Sequence, residues 1–394
     1  MSLIWLGLLA AGGLAYATLV GLMILGLMRL EKHTGQSRQI SNELSTTEEL
    51  PEVSIVVAAR NEETSLQSTL DSLLTQNYPS DKIEIIVVDD RSTDRTAEIV
   101  KKNALTRSNL YLVRQTKIDP YFSSKKQALA AGIAACRGEI ILTTDADCRH
   151  HPVWARSLVE RFTAQTGLVA GQARFDIGVK PPVWQRWQAL DYQAQMVGAA
   201  GLITAGTPFN CSSASLAFRR AAYEAAGGYR GHQRLVSGDD ELLMANIAEQ
   251  GWKIVAAAGA QCIAATAPPP TLKDLWHQRT RWASKGVHYS FPRAALLSGV
   301  FLFYLMLTLT PIVIAIGLTC LPILILFGVK LVLDYKVLFL GRRLFGDAFR
   351  LADFIAAEFL HPPFIVLAAA AGHFGSFRWK GEHYTFGQSK LNVR

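Results

Sequence analysis

The sequence predicts an α/β domain, an open, mostly parallel sheet with helices on both faces, tethered by transmembrane helices at both ends. Long uncharged apolar runs stand near both ends of the chain. Between them, short β-rich apolar runs alternate with helical patterns, and the acidic motifs collect where those short runs end. The 394 residues are 50% hydrophobic and 18% charged, against about 25% charged in an ordinary soluble protein. That balance excludes disorder, a collagen-like repeat and a small disulfide-stapled fold. The formal charge of +8 suits an anionic membrane face or a phosphorylated substrate. No zinc finger, RNP-like aromatic pair or basic helix is present, so no nucleic-acid partner is expected. Cys136, Cys148, Cys211, Cys262 and Cys320 form no CxxC pair and point to neither zinc nor disulfides, which fits a reducing cytoplasm.

Residues 1–28 read as an amino-terminal transmembrane helix, because residues 2–28 carry no charge and a span needs about 20 apolar residues. A cleaved signal would show a basic leader, a shorter apolar run and a small-residue cleavage site. Arg29, Lys32 and Arg38 follow directly, so the positive-inside rule places the next domain in the cytoplasm. A bacterial inner or plasma membrane is the expected location. Residues 29–50 read as a basic and polar linker.

Residues 51–275 form the α/β domain. SIVVAA (54–59), IEIIVVD (83–89), LYLV (110–113) and IILTTD (140–145) read as strands. Helical patterns at 64–76, 93–104 and 124–136 separate them. Ligands of such sheets bind beyond the carboxyl ends of the strands. Residues 276–293, rich in Trp, His, Tyr and Phe, read as an interfacial acceptor-side segment. Residues 294–377 form a carboxyl-terminal membrane region of two or three spans. Residues 294–329 are uncharged and too long for one comfortable span, with Gly317 and Pro322 placed to turn the chain. The last apolar stretch, interrupted by Glu358, His361 and Pro362-Pro363, reads either as a third span or as a re-entrant segment. The second alternative keeps Arg378, Lys380, Lys390 and Arg394 of the basic tail (378–394) inside.

Four constellations carry the chemistry. Asp89-Asp90 ends a strand in VVDDRSTD and can accept hydrogen bonds from a base edge or ribose. Asp145-Ala146-Asp147 ends another, and its alternate carboxylates can hold Mg²⁺ or Mn²⁺ bridging two phosphates. Asp239-Asp240, after a Ser-Gly turn, opens a helix and offers Asp240 as a general base. In WHQRTRW, helical spacing puts Gln278, Arg281 and Trp282 on one face, where an arginine can grip a diphosphate and an indole can meet a sugar. Neither a GxGxxG nor a GxxxxGK[ST] loop occurs, which disfavours nicotinamide and P-loop chemistry.

The order and spacing of ARNEE, VVDDRSTD, DAD, DDELL and QRTRW across residues 50–290 resemble the membrane-bound family 2 inverting glycosyltransferases of GT-A fold. This broad group includes cellulose, chitin and hyaluronan synthases and ceramide glucosyltransferases. The tail FRWKGEHY (377–384) resembles the ending of some members. The resemblance implies that Asp89 and Asp90 contact the nucleoside of a nucleotide-sugar donor, usually uridine, with Lys125 near the nucleotide. It implies that Asp145 and Asp147 serve diphosphate and metal, Asp147 more directly, and that Asp240 is the base. Asp239, Gln278, Arg281 and Trp282 would border acceptor and diphosphate. In NCSSASLAFRR (210–220), Ser213 and Ser215 stand where many members have Gly and Asn, which leaves acceptor identity open.

The expected activity is metal-dependent transfer of a sugar with inversion onto a membrane lipid or lipid-linked acceptor. A processive polysaccharide synthase, with a glycan acceptor and a partner subunit if polymer is exported, is the nearest alternative; the QRTRW form is associated with such members. A catalytically inactive, membrane-tethered nucleotide-sugar-binding subunit would have lost an acidic motif, and none is missing.

Overall fold

The computed structural model describes residues 3–41, 50–315, 321–380 and 382–385. The expected turn at Gly317 and the tail cations Lys390 and Arg394 lie outside them. Helix α1 (Leu3–Ser41) continues past Arg29, where the apolar run ends, into the stretch expected to be linker. A regular alternation follows: β1 (Val53–Ala59), α2 (Leu66–Leu74), β2 (Ile83–Asp90), α3 (Thr96–Ala104), β3 (Leu110–Gln115), α4 (Ser124–Ala135) and β4 (Ile140–Asp145). β1, β2 and β4 are buried along almost their whole length, which is why they read as continuous apolar runs.

The second half is less regular, with β5 (Cys148–His150), α5 (Trp154–Val159), β6 (Thr166–Ala170), β7 (Gln172–Phe175), α6 (Val183–Thr204), β8 (Leu216–Arg219) and α7 (Arg220–Ala225). It continues through α8 (Glu241–Glu249), β9 (Lys253–Ala256) and β10 (Ile263–Thr266). Helices α9 (Leu272–Ala283), α10 (Phe291–Ala315), α11 (Leu321–Phe345) and α12 (Leu351–Phe374) follow, and then the hairpin β11 (Ser376–Trp379) and β12 (Glu382–Thr385).

The main sheet has the order β3-β2-β1-β4-β8-β6-β9. β1 to β4 pair in parallel, as do β6 and β9, but β8 runs antiparallel to both β4 and β6. The sheet is therefore mixed rather than parallel throughout. β8 is reached by a long excursion through α6, so no direct strand–helix–strand crossover fixes its direction. A small sheet, β5-β10-β7, stands just beyond the Asp145–Asp147 turn.

Alternate side chains of β1 feed two cores. Ile55 and Val57 pack with Leu66, Leu70 and Trp154, whereas Val56 joins a core that runs through α4 and α6 into α1, α10 and α11. The apolar helices thus pack directly on the domain. α1 and α6 meet at glycines, and a Cβ on Gly26 would come 1.7 Å from the Gly201 carbonyl oxygen. Phe303 faces Gly12 and Gly299 faces Ala15, so α10 runs antiparallel to α1. Leu326 faces Gly13, and Arg343 pairs with Glu31 at 2.7 Å, so α11 runs parallel to α1. Among the described residues Trp5–Thr34, Phe291–Ala315 and Leu351–Phe374 are helices long and apolar enough to cross a membrane, and the protein is an integral membrane protein.

Candidate active site

A cleft of about 890 Å³ opens at the carboxyl edge of the sheet. It is bounded by the strand-end loops, the start of α8, one face of α9, the first turns of α10 and the hairpin. Every residue proposed for the site lines it except Asp89.

Successive residues of β2 point to opposite sides, so only one of the paired aspartates can reach the cleft. That residue is Asp90, held by Arg91 at 2.6 Å, its carboxyl raised by burial against the opposing Arg91 charge. Asp89, 1% exposed, accepts from the Ser92 backbone N–H at 3.1 Å and lies 3.6 Å from Arg114. It orders the loop rather than facing the cleft. The ARNEE loop knits onto the same turn: the backbone N–H groups of Asn61, Glu62 and Glu63 donate to Ser92, Thr96 and Asp94.

Ligand atoms of Asp145, Asp147 and Cys148 all lie within 4.8 Å of one another. Burial raises Asp147 to about 6, helped by the charges of Asp145 and Glu62, while the Thr266 hydroxyl donates to it at 3.1 Å. Two carboxylates held this close invite a cation. Burial pushes the Cys148 thiol well up, while Asp145 and Asp147 offer hard carboxylate oxygens. That donor set fits Mg²⁺ or Mn²⁺ rather than a thiophilic ion.

Lys125 joins the two halves of the site. Its ammonium lies 2.8 Å from Asp145 and 2.8 Å from Asp239, and donates to the Ser213 hydroxyl at 2.9 Å. Burial would raise the Asp239 carboxyl, but Lys125 holds it well below the usual carboxylate range. Asp240 caps α8, accepting from the Glu241 N–H at 2.7 Å through one oxygen and from the Ser213 N–H at 3.3 Å through the other. Burial and the neighbouring Asp239 raise Asp240, with Lys285 opposing them. Gly238 precedes the pair at φ +81°, a conformation that costs a side chain dearly. Lys126, 1% exposed, donates to the carbonyls of His232 and Ser237 at 2.7 and 3.0 Å and so pins this loop to α4.

On α9, Gln278, Arg281 and Trp282 face the cleft as their spacing predicts. Trp282 extends an aromatic wall: its ring centroid is 5.6 Å from Tyr192, which stacks on Phe175 at 4.5 Å. Arg279 turns the other way, 2.5 Å from Asp191, whose second oxygen lies 3.1 Å from His361. Beyond Asp240, buried Glu241 binds Lys285 and the Tyr289 hydroxyl, each at 2.9 Å, and Arg293 lies over the Tyr289 and Phe209 rings.

Several of these groups were not identified from sequence. Lys126 and Asp191 carry no spacing signal because their partners come from distant segments, and Glu241, seen as part of the acidic run DDELL, gave no sign of its partners Lys285 and Tyr289. Arg378 and Lys380 were read as tail charges and as part of FRWKGEHY, without a place in the site, yet the hairpin brings both to the cleft, with Lys380 on Glu62. Of the two serines at 213 and 215, only Ser213 reaches the cleft. Ser215 is fully buried, accepting from the Trp154 indole and donating to the Cys262 carbonyl, both at 2.9 Å, so it supports the core and not the acceptor side.

The chain matches the family description "Glycosyl transferase family 2" over residues 54–225 and "Glycosyl transferase family group 2" over residues 140–341. It is 29% identical to a beta-monoglucosyldiacylglycerol synthase of Synechocystis over 68% of its own length and 55% of the relative's. It is 26% identical to the poly-beta-1,6-N-acetyl-D-glucosamine synthase of Staphylococcus aureus over 61% of its length and 55% of the relative's. The chain thus spans between about two fifths and three fifths of the length of the curated relatives it matches. In fold it is similar to a mannosyltransferase from Pyrobaculum calidifontis, solved with GDP-Man and Mn²⁺. The TM-score is 0.55 at 20% identity, covering 93% of this chain and 98% of the other. The architecture is GT-A-like.

Proposed function

Taking as premise that the chain belongs to glycosyl transferase family 2, we propose that it moves a sugar from a nucleotide donor, UDP-linked, with inversion onto a membrane lipid or lipid-linked acceptor. One observation carries the reading. A single cleft contains the Asp145/Asp147 pair, the raised carboxyl of Asp240 and, at its far end, Arg293 and Leu297 on the first turns of an apolar helix. The acceptor side therefore opens where the chain enters the bilayer.

Asp90 orients the nucleoside, and Lys125, Arg281 and Arg378 face the diphosphate. Asp145 and Asp147 would hold a divalent cation, which would supply charge to stabilise a departing diphosphate. Asp240 takes the proton of the acceptor hydroxyl as its oxygen attacks the anomeric carbon. A base opposite the leaving group gives inversion. The Phe175, Tyr192 and Trp282 wall offers an apolar face for a sugar ring or headgroup. The positive charges after the first span support a cytoplasmic domain, on the side where nucleotide sugars are supplied.

A processive synthase is the second reading, supported by the QRTRW form and the similarity to a poly-N-acetylglucosamine synthase. Nucleoside diphosphate release by detergent-purified protein, with Mn²⁺ or Mg²⁺, UDP-, GDP- and dTDP-sugars, and with or without lipid extract, tests both. Metal-dependent release that rises with lipid and is lost in Asp147→Ala and Asp240→Ala supports the first. Polymer formed without lipid favours the second, and no turnover of any donor by folded protein sinks both.

A further inference from the structure

Helix α12 has the length and composition of a span, yet both its ends are fastened to the catalytic domain. Just before it, Asp347 pairs with Arg174 at 3.3 Å, and in its first turn Asp353 accepts from the Arg186 guanidinium at 3.1 Å. Midway, His361 lies 3.1 Å from Asp191. At its end, Gly372 packs on Ala283 and Ser284. The hairpin that follows sets Phe377 with Val236 and Lys380 on Glu62 at the cleft. Arg174, Arg186 and Asp191 belong to β7 and α6, and Ala283 closes α9. The preceding helix also arrives on this side, because Val197 of α6 packs against Gly341 of α11. A crossing helix would part its ends by the ~30 Å thickness of a bilayer core, with only one end on the domain.

The outer face supplies the second observation. Leu351, Ile355, Phe359, Leu367 and Phe374 are exposed in a stripe of near-helical spacing from one end to the other. The polar residues Asp353, Glu358 and His361 turn inward onto Arg186, Lys330 and Asp191. α10 and α11 also carry exposed apolar side chains, among them Ile312, Ile314, Leu324 and Val332. An apolar surface of that extent, with its polar residues satisfied on the far side, suits lipid.

We propose that α12 does not cross the membrane. It is a re-entrant helix that enters and leaves the leaflet nearest the catalytic domain, its outer stripe in lipid and its inner face against the acceptor helix. The crossings are then α1, α10 and α11, the last having the length of a span but carrying Lys330, Asp334 and Lys336 within it, and the tail lies on the domain's side. Because Phe364 packs on Trp276 and Gly372 on Ala283, one layer of lipid-embedded helix separates the bilayer from QRTRW. The proposal rests on the membrane part of the reading above and not on its donor or chemistry.

Full-length chains carrying Leu105→Cys on the domain, Ser376→Cys beyond α12 or Ala315→Cys at the far end of α10, all exposed positions, are labelled with a membrane-impermeant maleimide. Labelling is compared between intact cells and inverted vesicles, with the parent chain as blank. Leu105→Cys and Ser376→Cys should label from the same side and Ala315→Cys from the other. Ser376→Cys labelling with Ala315→Cys overturns the proposal. If Leu105→Cys and Ser376→Cys label together from outside the cell, the cytoplasmic placement fails while the re-entrant helix stands. As a second measurement, NBD on Leu351→Cys or Phe374→Cys is exposed to dithionite in sealed inverted vesicles. Loss of both signals supports re-entry, and protection of one of them refutes it.

Discussion

Replacing Asp191 by Asn would leave the Arg279 guanidinium buried without a countercharge. Each side chain of this pair is 3% exposed, and they meet at 2.5 Å between α6 and α9. Burial alone would raise Asp191, but Arg279 and then His361 hold it at about 2, against an ordinary 3.8. Because the folded value is depressed, this stabilisation is present above the unfolded value and is lost as pH falls through the folded one. The difference corresponds to roughly 2–3 kcal/mol at neutral pH. Breaking a buried pair by removing one partner costs about 3–5 kcal/mol, a similar size. Asp191→Asn should therefore destabilise by about 2–5 kcal/mol. The double variant Asp191→Leu/Arg279→Met should recover most of that loss, since no unpaired charge remains. Equilibrium unfolding in mixed micelles, read as a double-mutant cycle, measures both. A cost below about 1 kcal/mol for Asp191→Asn, or a double variant no better than the single, would refute the reasoning.

The remaining predictions concern the cleft and its support. Asp240→Asn should lower kcat about 10²–10⁴-fold while donor affinity by calorimetry stays unchanged, and lost donor affinity with normal turnover would remove it from the base role. Because burial and Asp239 raise the Asp240 carboxyl, the acid limb of kcat/KM should lie above the ordinary aspartate range. Lys285 opposes that shift, so Lys285→Gln should move the limb to still higher pH. Asp147→Ala should abolish cation-dependent donor binding, read by Mn²⁺ titration. A variant that still needs and binds Mn²⁺ normally would exclude this pair as the metal site. Burial lowers His150 to about 4, so unfolded chains take up its proton first as pH falls from 6.5. Stability should drop by about 3 kcal/mol between pH 6.5 and 4, and His150→Gln should flatten that slope.

Much of the fold was readable from local pattern. Parallel strands buried on both faces appear as unbroken apolar runs, so β1, β2 and β4 stood out, and their acidic ends marked the ligand edge. β8 did not stand out: four residues carry no period, and its antiparallel direction depends on where α6 returns the chain. Helical spacing assigned Gln278, Arg281 and Trp282 to one face of α9, and that is the face on the cleft. Nothing local said which of Asp89 and Asp90 would face it, because strand period separates the two sides without saying which side holds the ligand.

The sequence by itself determined the elements and the chemistry of each strand end, since backbone period and side-chain type act within a few residues of one another. The tertiary structure decided the partnerships. Lys125 bridges Asp145 and Asp239, Ser213 touches both Asp145 and Asp240, and Lys380 reaches Glu62 across 318 residues of chain. Charges in contact interact through space, and their separation in space is set by packing rather than by order in the chain.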